Sequence, residues 1–226
     1  MRINELVKEH QRKESSPPGR IKIIEAFKSI MEEKSFEAIT WAEIANTAGV
    51  AEGLIYRHFK TKRNLLHEVL DELSYDYYLI LNREVEGVEG ALNKIRKYIF
   101  VTMQSNQQST LLSKILLIEG RTFPDFFKSE AYEKVRKNVG VIKDFIKEGI
   151  ESGEIRDDIP VQRISQMIAG IMEYMLLPKL LFKRPIDPES LTEDVCKFIF
   201  MGIVKKNDPT KEQISSDRGD QKDRDY

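Results

Sequence analysis

Residues 54–67 hold several cationic side chains and no acidic one. The basic residues are Arg57, Lys60, Lys62 and Arg63. Tyr56 and His58 add a phenol and an imidazole to the same stretch. Clustered cations neutralise phosphate groups, and hydroxyl or imidazole groups can hydrogen-bond phosphate oxygens. The block therefore predicts contact with a nucleic-acid backbone.

The motifs of common enzymes and metal sites are present in this sequence only in part or not at all. His67-Glu68-Val69-Leu70-Asp71 begins like a zinc-protease helix, but Asp71 stands where a second histidine must share the helix face. Cys196 is the only cysteine, which excludes an intramolecular disulfide and a cysteine-based zinc site. No glycine-rich phosphate loop and no Gly-x-Ser-x-Gly motif occurs. We expect no enzyme activity, no metal and no cofactor.

Composition predicts a globular helical protein. The chain has 226 residues, of which 41% are hydrophobic, enough for a core. Its 12 glycines and 8 prolines are too few for a turn-dense β fold. The apolar stretches are far shorter than the ~20 residues that span a bilayer, and the N-terminus lacks the apolar segment of a secretory signal. We therefore expect a cytoplasmic protein without a membrane partner.

The elements that must position the basic block are all helical in pattern. We predict an all-α fold of about nine helices and no strand. A polar arm over residues 1–19 precedes a small helical domain at 20–66 and a larger one at 67–206. Residues 207–226 form a charged tail, which we expect to be disordered because it cannot bury apolar area.

Proline and glycine positions predict several helix ends. We expect the first helix to start near Ile21. One long helical stretch is predicted over 124–152, with a bend at one of its glycines. Another is predicted over 158–177, where Pro178 should kink or end it. Asp187 followed by proline predicts the N-cap of the last helix.

Residues 39–62 have the layout of a helix-turn-helix. Thr40 and Glu43 form a capping-box pattern at the start of the first helix. Gly49 permits a tight left-handed turn, and Val50 and Ile55 can fill the space beneath it. The second helix of such a motif enters the major groove of DNA. A plain helical hairpin with a solvated basic face is equally compatible with this pattern.

Residues 21–70 resemble the DNA-binding domain of the TetR family of transcriptional repressors. The resemblance covers about the first third of the chain. The matching positions are Phe36, Thr40, Ile44-Ala45, Ala48-Gly49-Val50, Gly53, Ile55-Tyr56, His58-Phe59 and Lys62-x-x-Leu65-Leu66. It implies phosphate contacts from Thr40, Tyr56 and Lys62, and base contacts from the start of the third helix. Ala51 departs from the pattern, because a serine usually caps that helix.

The predicted DNA-binding residues include several with an alternative role. Trp41 packs on a sugar or a thymine methyl, or it covers the edge of the core. Glu52 accepts from a cytosine amine, or it faces solvent and favours the helix dipole. Leu54 meets a thymine methyl or packs inward. The full set is Thr40, Trp41, Glu52, Gly53, Leu54, Tyr56, Arg57, His58, Lys60 and Lys62.

The resemblance also implies an effector pocket and a homodimer in the larger domain. Ordinary core packing is the alternative for every residue concerned. The predicted pocket residues are Phe100, Met103, Gln104, Phe123, Phe127, Met172 and Tyr174. The predicted dimer stripes are Ile164, Ile168, Ile171, Met172 and Met175, and Leu191, Val195, Phe198, Ile199 and Gly202.

The function implied by the resemblance is that of a ligand-responsive regulator, most simply a repressor. It would bind a palindromic operator as a dimer and be released by a small, largely apolar effector. An enzyme and a helical scaffold are the alternatives, but a scaffold has no need of the basic block. The net charge of −1 does not oppose DNA binding. Lys and Arg outnumber Asp and Glu 12 to 9 in residues 1–67, and are outnumbered 28 to 24 in the remainder.

Overall fold

The computed structural model of the chain describes residues 16–123 and 125–205, without the side chain of Asn138. Most of the predicted arm and the whole predicted tail lie outside these residues. The α-helices in chain order are α1 (Pro18–Glu33), α2 (Trp41–Ala48), α3 (Glu52–His58), α4 (Lys62–Val85), α5 (Ala91–Gln108), α6 (Leu111–Lys114), α7 (Glu130–Val139), α8 (Ile142–Ser152), α9 (Val161–Phe182) and α10 (Pro188–Ile203).

The predicted all-α class is confirmed. All of these helices except α6 have at least seven residues, so the described residues contain nine longer α-helices. The short α6 continues as a π-helix at Ile115–Glu119 and a 3-10 turn at Gly120–Thr122. Over the described ranges there is no β-strand, only an antiparallel bridge between Ile155 and Val204.

The first three helices and the start of α4 share one core. The apolar face of α1 is buried, as are Ile44 of α2 and Ile55 of α3. The same cluster continues into Leu65 and Leu66 of α4 and into Phe123, which follows the π-helix. The predicted boundary at residue 66 therefore falls inside α4, and the basic block rests on the larger domain.

A second core joins α5, α8, α9 and α10. Gly149 of α8 lies against Ala91 and Ile155, where an added Cβ would come within 2.9 Å and 2.5 Å of side-chain carbons. Only hydrogen fits there. The buried residues of this core include Ile95, Ile99, Met103, Ile146, Ile164, Ile168, Met172, Val195, Cys196 and Ile199.

Two predicted helix boundaries were wrong near the N-terminus and the middle of the chain. Helix α1 begins at Pro18, since proline at the first helical position has the required φ and needs no N–H partner. The predicted 124–152 helix begins only at Glu130, after a 3-10 turn. It is interrupted at Gly140, one of the glycines where a bend was predicted, so that it forms the two helices α7 and α8. A Cβ at Gly140 would lie 2.3 Å from the carbonyl oxygen of Arg136, so a bulkier residue could not take this bend.

Of the two predicted effects of Pro178, a kink or a helix end, the end is wrong, because α9 continues to Phe182. Proline removes the N–H that would bond the carbonyl of Tyr174. Tyr174 is exposed, so solvent can hydrogen-bond that carbonyl, while buried Leu176 holds the helix on the core. The Asp187 N-cap is confirmed, with its carboxylate accepting from two backbone amides.

Two features are absent from the described residues. No helix in 16–123 or 125–205 combines the length and apolar character needed to cross a lipid bilayer. In the same ranges, no three His, Cys, Asp or Glu side chains are placed to hold a metal ion.

Candidate nucleic-acid interface and effector cavity

The turn between α2 and α3 has the predicted helix-turn-helix geometry. Gly49 adopts φ 64° and ψ 40°, the left-handed conformation that favours glycine. The Val50 amide donates to the carbonyl of Ala45 at 3.0 Å, and Ile55 is fully buried beneath the turn. These contacts fix the angle at which α3 leaves α2.

The N-terminus of α2 is capped on one side only. Thr40 Oγ1 accepts from the Glu43 amide at 3.2 Å, as predicted. The Glu43 carboxylate does not complete the capping box, because it pairs with Lys34 Nζ at 2.6 Å. At the next helix, Ala51 supplies no side-chain cap, which leaves the first amides of α3 available.

The outer surface of α3 carries most of the predicted contact residues. Tyr56 is 54% exposed, and its ring meets the edge of Trp41 at a centroid distance of 5.7 Å. Leu54 is half-buried against the core and Trp41 packs at the core edge, so both have the inward contacts of their alternative roles. The exposed residues of the predicted set are Thr40, Glu52, Gly53, Tyr56, Arg57 and Lys60, and His58 is half-buried.

The Lys62 ammonium lies on backbone carbonyls rather than in solvent. Nζ donates to the carbonyls of Phe36 at 2.7 Å, Ile39 at 2.6 Å and Glu37 at 3.4 Å. It also lies 4.6 Å from the centre of the Phe36 ring. The predicted phosphate contact of Lys62 stays a prediction, since this ammonium already has acceptors in the turn between α1 and α2.

Two further cationic side chains near the helix-turn-helix, Arg63 and Arg20, make contacts within the protein. The Arg63 guanidinium lies 4.8 Å from the ring centre of Phe123, which itself packs edge-on against Phe36. Arg20 pairs with Glu68 of α4 at 2.8 Å. Arg57 and Lys60 are the basic residues of the block that remain exposed without such a contact among the described residues.

The α6 segment, which comprises α6 and the π-helix over residues 111–119, is hydrogen-bonded to the end of α1 and to the turn that follows it. Lys114 Nζ donates to the carbonyls of Met31 at 2.7 Å and Lys34 at 2.9 Å. The buried Glu119 carboxylate accepts from the Phe36 amide at 3.3 Å. Sequence reasoning missed both residues. The available signal was a glutamate that closes the apolar run Ile115-Leu-Leu-Ile118.

A cavity of about 190 Å³ lies between α4, α5, the α6 segment and α9. Its wall is mainly apolar. Leu112, Leu116, Leu117, Val139, Ala169, Met172 and Leu176 form that part, and Tyr77, Tyr98, Thr102, Ser105, Asn106, Ser109, Ser113 and Glu173 are the polar members.

Of the predicted pocket residues, Met172 alone lines this cavity. Met103 is fully buried in the second core, among residues of α8, α9 and α10. Phe123 packs in the first core. Phe127 and Tyr174 are 42% and 69% exposed on the outside of the molecule. Phe100 and Gln104 are half-buried on α5 away from this wall.

Two phenols form the polar side of the cavity. Thr102 Oγ1 donates to the Tyr98 carbonyl at 2.8 Å and lies 2.7 Å from the Tyr77 hydroxyl, which therefore donates to it. The Tyr98 hydroxyl donates to the Val139 carbonyl at 3.2 Å. Burial raises the pKa of both phenols, that of Tyr98 to about 12. Both therefore stay neutral at physiological pH.

Comparison with known families agrees with this architecture. Residues 23–69 match the family described as bacterial regulatory proteins, tetR family. Residues 78–202, more than half of the chain, match the family described as YsiA-like protein, C-terminal region. The chain belongs to the TetR family. It is thus a transcriptional regulator with a DNA-binding helix-turn-helix, and the predicted membership is confirmed.

Similar proteins match this chain over most of its length and over nearly all of their own. The fatty acid metabolism regulator protein of Bacillus subtilis is 23% identical over 189 residues, which cover 84% of this chain and 97% of the relative. The structure of FadR from Bacillus subtilis in complex with stearoyl-CoA has a TM-score of 0.71 at 23% identity, covering 81% of this chain and 98% of that one. FadR from Bacillus halodurans has a TM-score of 0.75 at 19% identity, covering 83% and 97%. These likenesses show the fold.

Proposed function

We propose that this TetR-family chain is a ligand-responsive repressor that binds a palindromic operator as a dimer and is released by a largely apolar effector. The observation that carries the proposal is the double role of the α6 segment. Leu112 and Leu116 line the cavity, while Lys114 and Glu119 of the same segment hold the end of α1 and the following turn. A ligand in the cavity therefore acts on the element that positions the helix-turn-helix.

The DNA contacts are proposed for the outer surface of α2 and α3. Tyr56, Arg57 and Lys60 are exposed, and the Tyr56 ring contacts Trp41, the first residue of α2. At that helix N-terminus, Thr40 and free amides favour a phosphate. Glu52 and Gly53 stand at the exposed start of α3, where a side chain or backbone can reach base edges. Nothing lies within 4 Å of the position of a Cβ at Gly53, so close approach of DNA is open.

The dimer is proposed to form through the outward face of α9 and α10. The predicted stripes mostly face the chain's own core, as buried Ile168 does. Phe198 of the second stripe is an exception at 71% exposed, and the same two helices also expose Met167 at 46%, Tyr174 at 69% and Met201 at 80%. Such an apolar patch marks an interaction surface, and two copies of one patch fit together about a two-fold axis.

The effector is proposed to place an acyl or similar apolar chain in the cavity. The wall of Leu112, Leu116, Met172 and Leu176 suits an apolar chain, and a similar regulator binds stearoyl-CoA. A ligand that favours a conformation with displaced α6 lowers operator affinity by linkage. The same linkage requires that operator DNA lower the affinity for the effector.

Arg57→Gln with Lys60→Gln is expected to weaken operator binding broadly across sequences. A dimer would lose four cationic side chains, so the slope of log K against log salt concentration should fall by about 3–4. Gel-shift titrations of the full chain at several salt concentrations, on DNA selected from the source genome, measure this slope.

The matched control is Lys128→Gln with Lys137→Gln, which removes the same charge from exposed positions outside the helix-turn-helix. It should leave the slope unchanged. Equal slopes for both double variants would contradict the assigned contacts. Absence of any specific, salt-sensitive band in the selection would reject the repressor itself.

A further inference from the structure

A smaller cavity lies where the start of α4 meets the 3-10 turn at Phe126–Lys128, and we call it the junction cavity. Its volume is about 150 Å³, and it has no lining residue in common with the cavity of about 190 Å³. The apolar part of its wall consists of Leu66, Phe123 and Phe126, all of them buried. An apolar cavity of this size accommodates a benzene ring. The junction cavity therefore suits a single aromatic ring.

The aromatic wall of the junction cavity is held in place by its own neighbours. The Phe126 ring lies 5.4 Å from the rings of Phe127 and Tyr132, measured between ring centres. On another side it packs on Gly120, where an added Cβ would come within 2.5 Å of a ring carbon. A wall that is already fixed costs a ligand little ordering entropy.

Two side chains with N–H donors line the same cavity and lack acceptors of their own. Arg63 and His67 lie one turn apart on α4, and within residues 16–123 and 125–205 neither makes a hydrogen bond or an ion pair. The Arg63 guanidinium lies 4.8 Å from the ring centre of Phe123, and the His67 ring centre lies 6.4 Å from that of Phe126. A guanidinium fork matches a carboxylate in two parallel hydrogen bonds. The cavity thus offers donors to an anion at the edge of an aromatic ring.

The charges around the junction cavity also favour an anion. Burial and the nearby Arg63 charge lower the pKa of the His67 imidazole, so it is neutral at pH 7 and has one N–H donor. Asp125 is the acidic member of the wall, but its side chain is 84% exposed and lies 3.9 Å from Lys128 Nζ. Water and Lys128 therefore screen this carboxylate. The Ser129 hydroxyl already donates to a backbone carbonyl, which leaves Arg63 as the dominant group.

We propose that the junction cavity is a second ligand site, which takes a small aromatic carboxylate with its ring against Phe123 and Phe126 and its carboxylate on Arg63 and His67. The site is separate from the proposed effector cavity and does not depend on the proposed function. Phe123 packs edge-on against Phe36, which precedes α2. An occupant therefore ties the start of α4 to the larger domain, directly beside the helix-turn-helix.

Three probes separate the contribution of the ring from that of the charge in NMR titrations of the full chain. Benzoate has both, benzamide has a similar shape without the charge, and acetate lacks the ring. Benzoate should bind at least about tenfold more tightly than either of the others. It should also raise the midpoint of thermal unfolding progressively with its concentration, because it binds the folded chain.

The histidine resonances locate the bound probe. The sequence has three histidines, His10, His58 and His67, and the variant His67→Asn assigns the signal of the third. Benzoate should shift the imidazole resonances of His67. Those of His58 should stay in place, because His58 ends α3 and does not line the junction cavity.

Arg63→Gln should weaken benzoate about tenfold or more and leave the weak binding of benzamide nearly unchanged. Arg63→Lys, which keeps the charge without the fork, should lose less. The matched control is Arg83→Gln, because Arg83 is also exposed on α4 but lies outside the cavity. Its benzoate affinity should equal that of the unchanged chain.

Failure of benzoate to bind would overturn the proposal, and so would His67 resonances that stay in place at saturating benzoate. Equal benzoate affinity in the Arg63→Gln and Arg83→Gln variants would overturn it as well, since the probe would then lie in another cavity. None of these results bears on the proposed repressor, because the two cavities share no lining residue. Operator gel shifts on the same preparations test that function separately.

Discussion

Replacing Phe198 and Met201 by glutamate is expected to leave a folded monomer that no longer binds the operator. Both side chains are exposed on α10, at 71% and 80%, and neither belongs to the buried core. The chain's own fold should therefore tolerate the change. In a two-fold interface each substitution occurs twice, and each buries a charge against apolar partners. With hot-spot costs of ~2 kcal/mol or more per residue, the dimer dissociation constant should rise at least about 1,000-fold.

Loss of the dimer removes one of the two half-site contacts, so operator affinity should fall by about 100-fold or more. Sedimentation velocity measures the mass, and gel shift measures the affinity. Ile80→Glu on α4 is the matched control, because Ile80 is also exposed and apolar but lies outside α9 and α10. A dimer that persists in the double variant would place the interface elsewhere.

Lys62→Met is expected to destabilise the fold around the turn between α1 and α2. The variant keeps the length of the side chain but loses charged hydrogen bonds to the carbonyls of Phe36 and Ile39. At 1.5–3 kcal/mol for a bond to a charged group, reduced by partial exposure, the free energy of unfolding should fall by about 2–3 kcal/mol. The midpoint of thermal unfolding should fall by about 5–10 °C.

The salt dependence of operator binding decides between the two roles of Lys62. If Nζ stays on the carbonyls, Lys62→Met lowers affinity without changing the slope against salt. If Nζ contacts a phosphate in the complex, the slope of the dimer falls by about 2. Lys60→Met is the control, since the exposed Lys60 should change the slope and leave the unfolding midpoint in place.

The local geometry of the helix-turn-helix could be predicted because adjacent residues determine it. Gly49 marks the left-handed turn, and Thr40 caps the helix that leads to it. The actual partners of charged side chains could not be predicted, because they depend on distant segments. The Glu43 carboxylate forms an ion pair with Lys34, and the Lys62 ammonium donates to the carbonyls of Phe36 and Ile39. A sequence shows that a lysine is present but not which acceptor lies nearest.

Which residues line the cavity and which form the proposed dimer face depends on how each helix is rotated about its axis, and composition does not reveal that rotation. On α9, Met172 and Tyr174 are two residues apart, yet one lines the cavity and the other is exposed. Helix α9 is apolar on both faces, so an apolar stripe alone does not distinguish core from interface. The continuation of α9 past Pro178 could not be predicted for a related reason. It depends on whether water can reach the Tyr174 carbonyl, which loses its N–H partner to the proline.

Cys196 gives the chain a practical property for distance measurements. It is the only cysteine in the sequence, it is fully buried in the described structure, and burial raises the pKa of its thiol. A buried thiol of raised pKa reacts slowly with labelling reagents. One cysteine introduced on α3 would therefore accept a spin label selectively, with the native thiol left in place. Paired labels would read the separation of the two recognition helices, which operator DNA should hold near the ~34–36 Å repeat of the major groove.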